Sequence, residues 1–285
     1  MAMGSSHPTR SRVQRHPARV RPTRIGGVPG IPRKSKEIQL SYAFDELPWT
    51  EVSRILPEDR RFVFPVSALE QHGPHLPLGA NLVIAQRVAR EVSERLGILR
   101  APTLSYGVTA GGDPFLGRSG LTRKTFHQAV NELLGQKDED GLDHFVIITA
   151  HRFEPHLEAL LMTPSGPSLK SVYDLYQIDV SDLIDTDPDY DHAGKLETSL
   201  MLHLAPELVR TDQLKDYLPS GGALRKYTRR RAPAPPLAPQ GILGSPSLAS
   251  TEKVAADSNA TPTRSASRST GPYRTAVGRR GRTGT

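Results

Sequence analysis

Short apolar runs alternating with segments of helical period fill the middle of this 285-residue chain, and no other feature narrows its fold as far. Arg61–Val66 (RFVFPV) is short, apolar and β-rich. Leu82, Ala85, Val88, Ala89, Val92 and Leu96 then recur at helical spacing, and Gly97 follows as a terminator. Ala101–Val108 gives a second strand. Thr122 caps a helix to about Leu134 that turns Phe126, Ala129, Val130, Leu133 and Leu134 inward. His144–Ala150 is almost continuously apolar, as a strand buried on both faces must be. Pro155 suits the first turn of a helix carrying Leu157, Leu160 and Leu161. Ser171–Val180 reads as a further strand, and a helix starting near Gly194 has to stop or bend before Pro206. Strand followed by helix, repeated along the chain, specifies an α/β fold with a mainly parallel sheet covered on both faces. In such sheets ligands sit beyond the carboxyl ends of the strands.

Charge divides the chain into three. Residues 1–36 hold nine Lys and Arg and no acid, and residues 220–285 hold twelve against Glu252 and Asp257. A body of net charge −12, residues 37–219, therefore lies between tails of +9 and +10. Its 183 residues suffice to bury a single core. Residues 1–36, with scattered Pro and Gly and no apolar period, read as a disordered basic extension. They are acid-free like a transit peptide, but their prolines break the amphipathic helix such peptides use, and no apolar stretch makes a secretory signal. Residues 220–285 read as a second disordered tail, rich in Pro, Ser and Arg. Its bases and those of the first tail have almost no aromatic residues among them, which argues against nucleic-acid binding by stacking. The chain has no Cys, so disulfides, thiolate zinc sites and cysteine nucleophiles are excluded. No apolar run reaches the roughly 18 residues of a membrane span. With neither signal nor span, the expected location is the cytoplasm.

Three polar clusters follow the strands. The first, Ser67–Asn81 (SALEQHGPHLPLGAN), sets Glu70 and His72 two residues apart, so in extended backbone both leave from one face. A carboxylate and an imidazole converging this way suit zinc, manganese or iron. Pro74 and Pro77 stiffen the loop, and a metal site needs ligands held before the ion arrives. The second cluster, Thr149–Glu154 (TAHRFE), places His151 just past the most apolar strand, where a polar residue can also simply cap a strand end. The third, Tyr190–Ser199 (YDHAGKLETS), has His192 before a helix and Glu197 in its first turn, where an acid is favourable on electrostatic grounds alone. A common site at the strand ends accounts for all three.

EQHGPHLPL before a helix, a histidine past a buried strand, and HAGxxETS at a helix start together resemble the creatininase (creatinine amidohydrolase) family, over roughly Tyr42–Tyr217. The resemblance implies a three-layer α/β/α fold with a two-metal site that opens cyclic amides or related C–N bonds, commonly in a homohexamer. By the same resemblance Glu70, His72 and His151 are metal ligands and Asn81 stands at the bridging position. Glu197 becomes an acid at the metal centre, and His192 a histidine that transfers a proton at the substrate. Gln71, Tyr106 and Arg118 are placed to shape the pocket for a small-molecule substrate, with Arg118 favouring an anion.

The pattern is broken in three places. Asn81 stands where the family has a bridging Asp. Arg152, Phe153 and Glu154 follow His151 where the family has Gly-Gly-Asn or an acid two residues on. Lys195 stands where an acid is often found. Removing negative charge and adding positive charge both weaken cation binding. The expected cofactor is thus one or two divalent ions, Zn, Mn or Fe, with the departures counting against the second. The expected activity is metal-dependent amide hydrolysis. The alternative is a family member with an altered metal site, acting as a biosynthetic auxiliary or binding protein.

Overall fold

The computed structural model describes residues 42–110, 114–163, 168–178, 191–218 and 240–251, together with the backbone of 273–274. Five helices and five strands alternate along them: α1 (Trp49–Ile55), β1 (Arg61–Val66), α2 (Ala80–Leu96), β2 (Leu99–Arg100), α3 (Arg123–Glu139), β3 (His144–Thr149), α4 (Glu154–Leu161), β4 (Leu169–Asp174), α5 (Lys195–Leu204) and β5 (Tyr273–Arg274). The sheet order is β2-β1-β3-β4-β5, parallel throughout except for the two-residue edge pairing of β5. β1 and β3 pair from Arg61 opposite His144 to Val66 opposite Thr149, and β3 continues in register to Asp174 of β4. Three carboxyl ends therefore finish level, and the loops leaving them meet.

Alternation along the strands explains the layers. Phe62, Phe64 and Val66 share one face with Phe145 and Ile147, packed on Phe126, Val130 and Leu134 of α3 and Ala159 and Leu160 of α4. Val63 and Ile148 point to the other face, against Ala89 of α2. Helix α5 joins that second layer, where Leu196 and Met201 meet Ile84 and Ala85. The result is the expected three-layer α/β/α sandwich. Phe126 and Phe145 are fully buried, and each contributes about 1.5–3 kcal/mol by leaving water.

Local signals set the helix ends. Gly97 adopts a left-handed φ of 66° and closes α2 by donating to the Ser93 carbonyl. Thr122 accepts the Thr125 N–H at 3.3 Å and starts α3, which runs five residues beyond Leu134 to Glu139. On β4, the buried Lys170 ammonium donates to the carbonyls of Leu160, Leu161 and Thr163 at the end of α4. A cation there complements the negative end of the helix dipole, although burial lowers its pKa to about 8.

Two expectations are corrected. Ala101–Val108 is not a strand: the second strand is Leu99–Arg100, and beyond it only Leu104 and Val108 make isolated bridges, to Val66 and Leu121. Pro102 lacks the N–H that a ladder needs. The C-terminal boundary at 219 is also too early. Ile242 and Leu243 are buried, Leu243 pairs with His192, and Gly244 pairs with Tyr217. This short segment of the supposed tail belongs to the body. Ser171–Val180 is half right, because β4 ends at Asp174 and a single tight turn, Leu175–Gln177, follows. Residues 1–36 and the rest of 220–285 lie outside the described residues, apart from the β5 backbone. No described helix is long and apolar enough to cross a membrane.

Candidate functional site

The loops after β1, β3 and β4 and the start of α5 deliver Glu70, His72, His151, Tyr176 and Glu197 to one point, where Asn81 of α2 joins them. His72, Asn81, His151 and Glu197 are all buried. Both nitrogens of each imidazole face oxygen acceptors. His72 Nδ1 lies 3.1 Å from the Glu70 backbone carbonyl and Nε2 lies 3.1 Å from Asn81 Oδ1, with Glu197 Oε2 at 3.7 Å, so a neutral ring can donate to only one side. The His151 Nε2–H donates to the Val108 carbonyl at 2.8 Å, so Nδ1 faces Glu70 Oε1, also at 2.8 Å. Acceptor thus confronts acceptor twice in a dry interior. Such pairs are repulsive unless a proton or a cation lies between them.

The titration of these groups follows. Burial raises the Glu70 carboxyl, but the neighbouring His151, backed by His192 and His72, outweighs it and holds the acid well below the usual carboxylate range. Burial likewise lowers the His151 imidazole, and the Glu70 charge with its hydrogen bond outweighs that to raise it. Without a cation, the pair holds a proton instead.

Asn81 presents two different ends. Its Nδ2 donates to Glu70 Oε1 at 3.0 Å and lies 3.3 Å from His151 Nδ1, while its Oδ1 faces His72. Glu197 is held at both oxygens: Tyr176 Oη donates to Oε1 at 2.8 Å and the Ala193 N–H to Oε2 at 2.5 Å. Burial and the Glu197 charge push the Tyr176 hydroxyl well above its ordinary pKa, so it stays a donor. Ala193 adopts a φ of 50°, a costly left-handed conformation for a residue with a Cβ. That conformation aims its N–H at the carboxylate. Asp191 accepts the N–H groups of Leu196 and Glu197 through Oδ2. Burial, and then Glu197, raise its pKa to about 7.

His192 completes a group with Glu70 and His72 whose ligand atoms lie within 4.8 Å of one another. Its ring stands 4.8 Å from that of His72, and its Nε2 meets the Gln71 carbonyl at 3.0 Å and Gln71 Nε2 at 3.1 Å. The Gln71 side chain is oriented in turn by the Gly73 N–H, which donates to Oε1 at 3.0 Å. Tyr106 and Arg118 are brought together elsewhere, along an open cleft of about 530 Å³ that has Val108 in its wall. Of the residues following His151, Phe153 packs against the hydrophobic core and Glu154 opens α4.

Sequence reasoning did not single out Tyr176, Asp191 or the segment around Leu243. Asp191 lay inside the third cluster, beside His192. Tyr176 sits two residues past the end of β4, and only its level finish with β3 brings it to the site.

At these strand ends Glu70, His72 and His192 form a group that could hold a metal ion. The creatinine amidohydrolase family profile matches residues 45–261, so the chain belongs to the creatininase family. It is 29% identical over 236 residues to creatinine amidohydrolase of Pseudomonas putida, spanning 73% of this chain and 88% of that protein. It is also 30% identical over 196 residues to mycofactocin precursor peptide peptidase of Mycobacterium ulcerans (strain Agy99), across 66% of this chain and 75% of that one. Among solved structures, a creatininase mutant of the Zn-Zn type superposes with a TM-score of 0.62 at 26% identity, covering 75% of this chain and 91% of that one. A creatininase containing Mn gives 0.62 at 25% identity, with the same coverage.

Proposed function

We propose that this chain is a metal-dependent amidohydrolase that opens a C–N bond of a small molecule, a cyclic amide in the first instance. The observation carrying the reading is the convergence of His72 Nε2, His151 Nδ1, Asn81 Oδ1 and the carboxylates of Glu70 and Glu197, with the second nitrogen of each imidazole tied to a backbone carbonyl. Such a set suits Zn, Mn or Fe. A bound divalent cation would supply polarisation of the amide carbonyl and a more acidic water.

The chain's own groups do the rest. Glu197, pinned by Tyr176 and Ala193, keeps its carboxylate aimed into the site. His192 faces His72 and carries a proton to the departing nitrogen, a role worth about 10²–10⁴-fold in rate. Gln71 holds the His192 ring and contacts substrate beside it. Tyr106 and Arg118 bind an outlying part of the substrate along their cleft, where the guanidinium favours an anionic group.

The charges balance for one cation. Glu70 and Glu197 bring two negative charges, while the neutral imidazoles and the carboxamide bring none. An amide also ligates through a single oxygen, so Asn81 cannot bridge two ions as a carboxylate does. Its Nδ2 instead donates to Glu70 Oε1. That same arrangement favours a second reading: a metal-poor family member that binds a ligand without turning it over. Assembly as a homo-oligomer, hexameric by family likeness, belongs to the first reading.

The test is a panel of creatinine, other lactams, formamides and short peptides, incubated with the protein loaded with zinc or manganese. Hydrolysis that chelation abolishes supports the proposal. A protein that takes up no metal, or that stays inert towards every amide when loaded, leaves the second reading.

A further inference from the structure

We propose that His156, on α4 and outside the cation site, is a positioning residue that fixes both the ring plane and the tautomer of His151. The proposal rests on reading His151 as a ligand. His156 is fully buried. Its Nδ1 accepts the Val108 N–H at 3.2 Å, so the ring proton lies on Nε2, which meets Thr149 Oγ1 at 3.1 Å. Both of these partners also grip His151. Thr149 Oγ1 accepts the His151 backbone N–H at 3.2 Å, and the Val108 carbonyl accepts the His151 Nε2–H at 2.8 Å. One imidazole therefore holds the backbone of His151 through Thr149 and its side chain through Val108.

The ring is itself locked. It stacks on Phe126 at 4.8 Å and 27°, and presents its other surroundings to the edge of His151 at 4.9 Å and 69°. Gly107 leaves the space, since a Cβ there would lie 2.6 Å from the His156 ring. The lock has a direct consequence. With Nε2–H committed to Val108, the lone pair of His151 Nδ1 is turned towards Glu70 Oε1 at 2.8 Å and Asn81 Nδ2 at 3.3 Å. A residue that merely filled the core would need shape alone. His156 needs an acceptor on one side and a donor on the other, and a protonated or flipped ring would lose the Val108 bond.

Two measurements test this. In the wild-type protein, side-chain 15N shifts taken at alkaline pH should show the Nε2–H tautomer for both His151 and His156. In His156→Phe, which keeps the volume and deletes both hydrogen bonds, zinc affinity by chelator competition should fall about 10–100-fold and His151 should become a tautomer mixture. His156→Asn, which restores an acceptor for Val108, should recover part of both. Wild-type affinity with an unchanged His151 tautomer in His156→Phe would overturn the proposal. Should that variant fail to fold, an Nδ1–H tautomer for His156 in the wild type would overturn it alone. If the wild type bound no zinc, the cation reading would fail, while the tautomer of His151 would still decide the positioning role.

Discussion

Replacing Asn81 by Asp changes one atom type and inverts the electrostatics of the site. Nδ2 now donates to Glu70 Oε1 at 3.0 Å; in Asn81→Asp an anionic oxygen takes its place. At that separation and an effective dielectric near 20, two unit charges repel by about 5–6 kcal/mol. Proton uptake by the adjacent His151 relieves part of this, leaving a net loss of about 2–4 kcal/mol in the metal-free protein. A domain of this size shifts by about 2–4 °C per kcal/mol, so the metal-free variant should melt about 5–15 °C below wild type. The same carboxylate supplies the missing charge and a second ligating oxygen. Bound zinc or manganese should therefore rise from one equivalent to two, and saturating metal should close the gap in melting temperature. Scanning fluorimetry in chelator and in excess metal, with elemental analysis of the loaded protein, reads both effects. A metal-free variant that melts with the wild type and gains no ion would refute the role assigned to the Asn81 amide.

Other perturbations reach the site from different directions. His72→Ala and His151→Ala each delete one imidazole ligand and should weaken zinc binding by more than about 100-fold, as equilibrium dialysis would show; near-normal retention in both would exclude them as ligands. Burial raises Asp191 from 3.8 to about 7, so between those values the folded chain keeps a proton that the unfolded chain has released. Stability from this group is thus present at pH 4 and lost as pH rises to 7, and Asp191→Asn should gain about 1–3 kcal/mol at pH 8 and little at pH 4; urea melts giving equal gains at both would contradict the assignment. Gly241 has a φ of +72°, and a Cβ there would fall 1.8 Å from Gln71 Oε1. Gly241→Ala should cost about 1–3 kcal/mol in strain and displace Gln71 from His192, and an unperturbed unfolding curve would show that this segment does not press on the site.

What the sequence revealed follows from the range of the interactions involved. β1 and β3 were legible because strands buried on both faces must be almost wholly apolar, and Gly97 and Thr122 mark helix ends through bonds only a few residues long. The false strand at Ala101–Val108 shows the limit of composition. Its apolar residues serve loop packing and two bridges, because Pro102 and the short β2 prevent a ladder. Glu70 and His72 were visible as a local pair, His151 as a residue just past a strand, and His192 and Glu197 at the start of a helix. Tyr176, His156 and Leu243 were not. Each reaches the site through pairing across the sheet or through a chain return of some fifty residues, as when Leu243 bridges His192, and no local pattern encodes such a meeting.

The central claim is that separate loops supply a cage for a divalent cation, and anomalous diffraction at the zinc edge from a zinc-soaked crystal tests it most directly. One strong peak is expected among His72 Nε2, His151 Nδ1 and Asn81 Oδ1, with a carboxylate oxygen completing the set. A map with no peak among Glu70, His72, His151 and Glu197 would contradict it.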